Sequence, residues 1–321
     1  MAENIKVISK PIHKTSIGGQ ALIEGILMRG PEKVSIAVRK PDGDIDLKVE
    51  KSLPLNKKNK IASLPIIRGM LGLVDSLKVG MSALMYSAEF FDENPNDTKV
   101  EEKESLFNRI FKEKSDDVAM GLTVFLSIAI AVVVFMILPN FLTNFFTKRV
   151  ESSVLLNLIE GLIRIFIFFI YVVWVSKLED VRRVFEYHGA EHKSIHAYEN
   201  GEELTVENVK KYSILHPRCG TSFLFMVMIV SIVVLSFFGW PNPIMRIVTR
   251  IIMLPVIAGI SYEINRFIGK SNSKFCYYLS YPGLLIQKYA TVKEPDDSQI
   301  EVAIKALEAV IPENKEEDLW Q

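Results

Sequence analysis

With 321 residues, 49% of them apolar, and a mean hydropathy of +0.21, the chain is too apolar for an ordinary set of water-soluble domains, so lipid must solvate part of it. Its 38 basic side chains balance 38 acidic ones, which excludes a global basic field and with it an electrostatic case for nucleic acid. The 2 cysteines, Cys219 and Cys276, exclude a disulfide framework and favour a reducing compartment for the polar parts.

The N-terminal stretch MAENIKVISKPIHKTSIGG has charges but no apolar run behind them, so no cleaved signal peptide is expected and insertion falls to internal segments. GGQALIEG lacks the Lys and Ser or Thr of a phosphate loop, and its glycines predict close backbone packing instead. Two alternating runs in KVSIAVRKPDGDIDLKVE flank Pro41, Asp42 and Gly43 and predict a β-hairpin, with ALIEGILMRG before it as a third strand. Residues 1–60 are thus read as a cytoplasmic piece with a small β element. In 61–91 the apolar pattern is broken by Arg68, Asp75 and Lys78, too polar to span and too apolar to stand alone in water. It predicts an amphipathic helix lying along the membrane or packed on the bundle. Mixed charge marks 92–117 as a solvated linker.

Four spans follow, in a bundle covering 118–267. The first, 118–138, is uncharged and long enough to cross roughly 30 Å of hydrocarbon at about 1.5 Å per residue, and Pro139 follows it. The second, 153–175, is apolar except for Asn157, Glu160 and Arg164 and ends in the interfacial aromatics Tyr171 and Trp174. Glu160 and Arg164 stand one helical turn apart, where they neutralise each other. The third span is 222–238. The fourth, 247–267, carries Arg250, Pro255 and Glu263 and needs neighbours or water to sit in lipid. Basic residues gather at Arg109, Lys112 and Lys114, at Lys177, Arg182 and Arg183, and at Arg266, Lys270 and Lys274; the other side has only Lys148, Arg149 and Arg246. This bias predicts cytoplasmic termini and a cytoplasmic loop at 176–221. In 268–321, CYYLSYPGLLIQKYA is interrupted by Pro282 and Gly283 and reads as an interfacial or re-entrant element. A docked amphipathic helix closes the chain, with Ser298 and Glu301 at capping-box spacing, Ile300, Ala303, Ala306, Leu307 and Val310 on one face, and Pro312 as its stop.

Three of the 5 histidines fall in the run FEYHGAEHKSIHAYENGEE, inside that loop. His188 and His192 are four residues apart, so on a helix they share a face and can reach one ion. With Glu191 they spell H-x-x-E-H, the arrangement in which two imidazoles bind Zn²⁺ and the glutamate takes a proton from the water that the metal acidifies. The bland alternative is a juxtamembrane helix whose histidines are solvated or bonded to Glu186, Glu199 and lipid headgroups. Against it stand the scarcity of histidine elsewhere and the nearby turn HPRC, which brings His216 and Cys219 to the start of the third span. A catalytic zinc takes three protein ligands and keeps one position open. Candidates for the third are His216, Cys219, His196 and Glu199, in that order; if His216 and Cys219 both bind, the site is closed and structural. Cys219 paired with His216 as a nucleophile is a further alternative, and Cys276 reads as an ordinary packed residue.

The segments GGQALIEGILMRGP, IIRGMLGLVDSL, EYHGAEHKSIHAYENGEELTVENV, HPRCGTSF and YPGLLIQKYATVKEPDDSQIEVAIKALEAV resemble those of the YqhQ-like family of bacterial multi-pass membrane proteins, and together they cover nearly the whole chain. The resemblance implies a mainly α membrane protein and a metal on His188 and His192, with Glu191, His216 and Cys219 as members of the same motifs. The expected function is a zinc-dependent hydrolase acting at the membrane, with Glu191 as base. Its rival is a non-catalytic factor that assists insertion, folding or assembly of other membrane proteins, with translocation machinery as partner; a transporter ranks last because the spans carry few paired polar residues.

Overall fold

The computed structural model describes residues 11–55, 59–91, 115–271 and 273–320; the linker expected at 92–117 lies outside them up to residue 114. Two compact units emerge: Met1–Asp92, Phe169–Ser231 and Met253–Gln321 make the first, Glu93–Phe168 and Ile232–Ile252 the second.

The first unit is built on a four-stranded antiparallel sheet, β1 (Gly18–Leu22), β2 (Gly25–Arg29), β3 (Lys33–Arg39) and β4 (Ile45–Lys51), in sequential order. β3 and β4 are the predicted hairpin. ALIEGILMRG, read as one strand, instead folds on itself: Leu22 pairs with Gly25, so Ile23 and Glu24 form a two-residue turn with Glu24 at a φ of 47°. No Asn-Gly or Asp-Gly announces that turn, which is why the sequence hid it. The two-residue period then sorts the side chains. Ile26, Met28 and Ala37 join a core with Tyr187, Ala190, Ile300 and Leu307, whereas Leu27, Val34, Ile36 and Val38 pack on the opposite face with Ala83.

That opposite face is covered by α1 (Ile67–Glu89). Two of the three charges that interrupt its apolar pattern are paired: Asp75 takes the guanidinium of Arg29, and Arg68 forks onto Glu263, its Nε donating at 2.6 Å. Gly69 permits a close crossing, since a Cβ there would lie 3.0 Å from the Cα of Gly259. Val74, Leu77 and Met81 leave an apolar stripe exposed.

The other face carries α5 (Glu179–Glu199) and α10 (Asp297–Glu308), with the short α6 (Val206–Val209) beside them. Helix α10 follows the expected apolar face, but its capping box is formed by Asp296 and Gln299 rather than by Ser298 and Glu301. Asp296 has extended backbone and so can bond the free N–H of Gln299; Ser298 lies already inside the helix and donates to Asp296.

Among the described residues three helical segments are long and apolar enough to cross a membrane: Gly121–Asn144, α4 (Ser153–Val175) and α8 (Pro243–Lys270). A fourth apolar helix, α7 (Gly220–Ser236), stands where the third span was expected and is shorter. The first segment does not stop at Pro139. Helix α2 (Ser115–Val132) widens into a π turn at Val133–Ile137, and α3 (Leu138–Asn144) restarts with Pro139 in its first turn, where its missing N–H costs nothing. Helix α9 (Lys274–Ile286) likewise runs through Pro282, the expected break, and widens into a π turn at Gln287–Thr291.

In the second unit Glu160, 1% exposed, is gripped by two arginines: Arg164 donates to Oε1 at 2.7 Å and Arg250 to Oε2. The predicted intrahelical pair is therefore half of a larger cluster. Asn157 ties its own helix to the α7–α8 connection by donating to the Gly239 carbonyl at 3.0 Å.

Candidate metal centre

Helix α5 is polar in composition, yet from Tyr187 to Tyr198 nearly every residue is buried. Hydrogen bonds from many of its polar side chains to groups inside the fold offset the cost of that burial. His188, His192, His196 and Glu199 follow one another at helical spacing and so lie along one face of the helix. The HPRC turn runs against this face. Pro217, with its fixed φ, sits at the second position of a turn closed by the Cys219 N–H on the His216 carbonyl at 3.3 Å.

That turn divides its side chains between two groups of ligand-type atoms. His188, His192 and Cys219 converge within 4.8 Å of one another, and so do His196, Glu199 and His216. The groups adjoin, with the rings of His192 and His216 5.4 Å apart. Of the two leading candidates for a third ligand, Cys219 joins His188 and His192, and His216 joins His196 and Glu199. Glu191, between the two histidines in sequence, belongs to neither group among the described residues. Its carboxylate, 5% exposed, accepts the Gly19 N–H at 2.8 Å. A Cβ on Gly19 would lie 2.5 Å from the Leu27 carbonyl and 3.1 Å from the Glu191 carboxyl carbon, so β1 needs glycine to bring its amide there.

Tautomers follow from the neighbours. The Nδ1 of His188 faces the Thr291 carbonyl at 2.9 Å and that of His192 the Ile214 carbonyl at 2.5 Å. A carbonyl can only accept, so each Nδ1 carries a proton, and in the neutral ring that leaves the lone pair on Nε2. Fixing a ligand histidine through its other nitrogen is what outer-sphere carbonyls do in metal sites. The Nε2 of His188 meets the Cys219 sulfur at 3.1 Å, while that of His192 is buried without a hydrogen-bond partner among the described residues. Burial drives the His192 pKa down to about 4, which keeps its ring neutral and able to ligate. The same desolvation raises the pKa of Glu191, favouring a carboxyl that can hold a proton.

The second group differs in charge. Arg218 donates to Glu199 and lies 3.4 Å from the His216 ring nitrogen, so a guanidinium already balances the carboxylate, which also accepts the Thr15 N–H at 2.8 Å. A divalent cation there would meet like charge at close range. Among the described residues no such cation bonds to the first group, and two imidazoles with a thiol are a borderline-soft donor set that fits zinc-type ions. Among the described residues the Cys219 sulfur meets the His188 ring at 3.1 Å and accepts the Thr221 N–H at 3.4 Å.

Sequence reasoning missed Gln287 and Thr291. Fully buried Gln287 clamps the HPRC turn, accepting the His216 N–H and donating to the His216 carbonyl, both at 2.9 Å, and donating to Ser222 at 3.1 Å. Both residues sit in the π turn, a device frequent at functional sites. A lone glutamine in YPGLLIQKYA was the available signal.

Residues 64–313 match the family described as a protein of unknown function (DUF1385). The chain belongs to the DUF1385 family. It is 32% identical over 303 residues to the uncharacterized protein YqhQ of Bacillus subtilis (strain 168), covering 92% of each chain. No solved structure matches. The site segments of this DUF1385 member in α5, the HPRC turn and the π turn all lie within the matched stretch.

Proposed function

We propose that this multi-pass membrane protein holds one divalent cation, zinc by its donor set, on His188, His192 and Cys219, and that it hydrolyses a lipid-associated or membrane-protein substrate at the bilayer surface. The observation that carries the reading is the convergence of two oriented imidazoles and a thiol, one ring nitrogen of which is buried without a hydrogen-bond partner among the described residues. Three protein ligands leave a coordination position for water or substrate, as catalytic sites require. A bound divalent cation supplies acidified water and polarises the substrate oxygen. The chain contributes the rest: Thr291 and Ile214 orient the rings, the buried wall strengthens local electrostatics, and Glu191, held by the Gly19 amide, receives the proton.

Elemental analysis of detergent-purified protein tests the metal and Glu191→Gln tests the chemistry. About one zinc per chain is expected in both proteins, with hydrolysis lost only in the variant. Absence of transition metal from protein grown in metal-replete medium ends the proposal. Equal activity of wild type and Glu191→Gln removes the role given to that carboxylate and, with recovered translocation machinery, favours the assembly factor.

The distribution of Lys and Arg supports termini and metal site in the cytoplasm, and the exposed stripe of Val74, Leu77 and Met81 supports contact of α1 with lipid. Reporter fusions at both ends are expected to be active only as cytoplasmic reporters; activity of a translocated reporter at either end reverses the orientation.

A further inference from the structure

We propose that the second unit carries a binding site for a phosphate group, formed by Arg246 and Arg250 where α4 and α8 begin. This site is independent of the metal centre. Three guanidiniums, those of Arg164, Arg246 and Arg250, gather here around the buried carboxylate of Glu160, whose two oxygens are taken by Arg164 and Arg250. Arg246 makes no ion pair among the described residues. It donates to the Asn144 side chain at 2.9 Å and lies over the Trp240 ring at 3.9 Å. Both Arg246 and Arg250 are more than nine-tenths buried, at 4% and 6% exposure. In each, Nε and Nη1 have no hydrogen-bond partner among the described residues.

Buried donors of this kind are rare in native proteins and point to a missing acceptor. Water could satisfy the N–H groups but would leave the excess positive charge in an apolar bundle uncompensated, which is the larger cost. An anion answers both. The two arginines line one recess together with Asn157, Gly239 and Thr249. The Asn157 bond to Gly239 holds the start of α4 beside the connection that leads into α8. The positive ends of both helix dipoles therefore lie at this end of the unit and add to the field of the arginines.

Planar guanidinium forks match the tetrahedral oxygens of phosphate, and they do so bidentately. Around the recess, Phe237 is 86% and Ile244 76% exposed, apolar surface that suits acyl chains. The phosphate can come from a phospholipid headgroup or from free inorganic phosphate, and the two sources share the chemistry of recognition.

Detergent-purified protein is to be incubated with phosphatidylglycerol, with diacylglycerol of the same chains, or with inorganic phosphate, reading bound ligand by native mass spectrometry and stability by thermal melting. Wild type is expected to retain a phosphate-bearing ligand and not diacylglycerol. Arg246→Gln, which leaves every contact of Glu160 in place, should weaken that binding about tenfold or more. Thr249→Phe, which fills the recess without removing a charge, should do the same and serves if the first variant does not fold. Retention of phosphatidylglycerol alone identifies a lipid headgroup; stabilisation by inorganic phosphate as well identifies a site open to solution. Equal retention of phosphatidylglycerol and diacylglycerol with no effect of inorganic phosphate, or wild-type binding by both variants, overturns the proposal.

Discussion

Replacing His192 by asparagine is expected to strip the proposed cation from the purified protein while leaving the fold in place. The asparagine amide can still donate to the Ile214 carbonyl as Nδ1 does, but it offers no lone pair where Nε2 stands. The substitution thus removes the ligand and spares the hydrogen bond, whereas alanine would also open a cavity in a fully buried position. Loss of a mere outer partner costs metal sites about 10- to 100-fold in affinity, so loss of a ligand should exceed that. Cys219→Ser should lower affinity as well, through exchange of a soft thiolate for a poorly ligating hydroxyl. Cys276→Ser is the control: Cys276 is buried elsewhere, its amide bonded to Ser273, and its loss should leave metal content unchanged. Elemental analysis of each variant beside its melting curve checks this. Full zinc occupancy in folded His192→Asn would show that the ion sits elsewhere.

The second large effect belongs to Glu160. Glu160→Gln removes the buried carboxylate that Arg164 and Arg250 share and takes that compensating charge from both. Breaking a buried pair from one side costs about 3–5 kcal/mol, against about 0–1 kcal/mol for a surface pair. Glu301→Gln supplies the comparison, because Glu301 pairs with Arg39 and its side chain is 52% exposed. Melting in detergent should therefore separate the two sharply, with Glu160→Gln low in yield and Glu301→Gln close to wild type. Adding Arg250→Gln to Glu160→Gln should recover part of the loss, since it removes one of the orphaned charges. Equal melting of wild type and Glu160→Gln would show that lipid or water already solvates these arginines.

Two kinds of feature in the chain were legible at different distances. Local ones came through: the extent of α4, the hairpin of β3 and β4, and the apolar face of α10 all follow from periodicity within a few turns. Breaks were misjudged where a residue's local cost is offset by geometry nearby. Pro139 and Pro282 are tolerated because a helix restarts after a π turn in one case and continues past the ring in the other. Ser298 and Glu301 have the right spacing for a capping box, yet the chain enters the helix two residues earlier, at Asp296.

By itself the sequence determined the class of molecule and the chemical inventory of its site. Long uncharged runs require lipid whatever they pack against, and histidines four apart share a face on any helix. What only the tertiary structure decided is which side chains meet. Cys219 and His216, three residues apart, go to different groups because Pro217 turns the chain between them, and Gln287, from a distant helix, clamps that turn. Gly19 reaches Glu191, and Arg250 reaches Glu160, across gaps in sequence that no spacing rule spans. The physical reason is range: periodicity is set by bonds along the backbone, whereas burial, ion pairing and the orientation of a ligand depend on what the rest of the fold brings alongside.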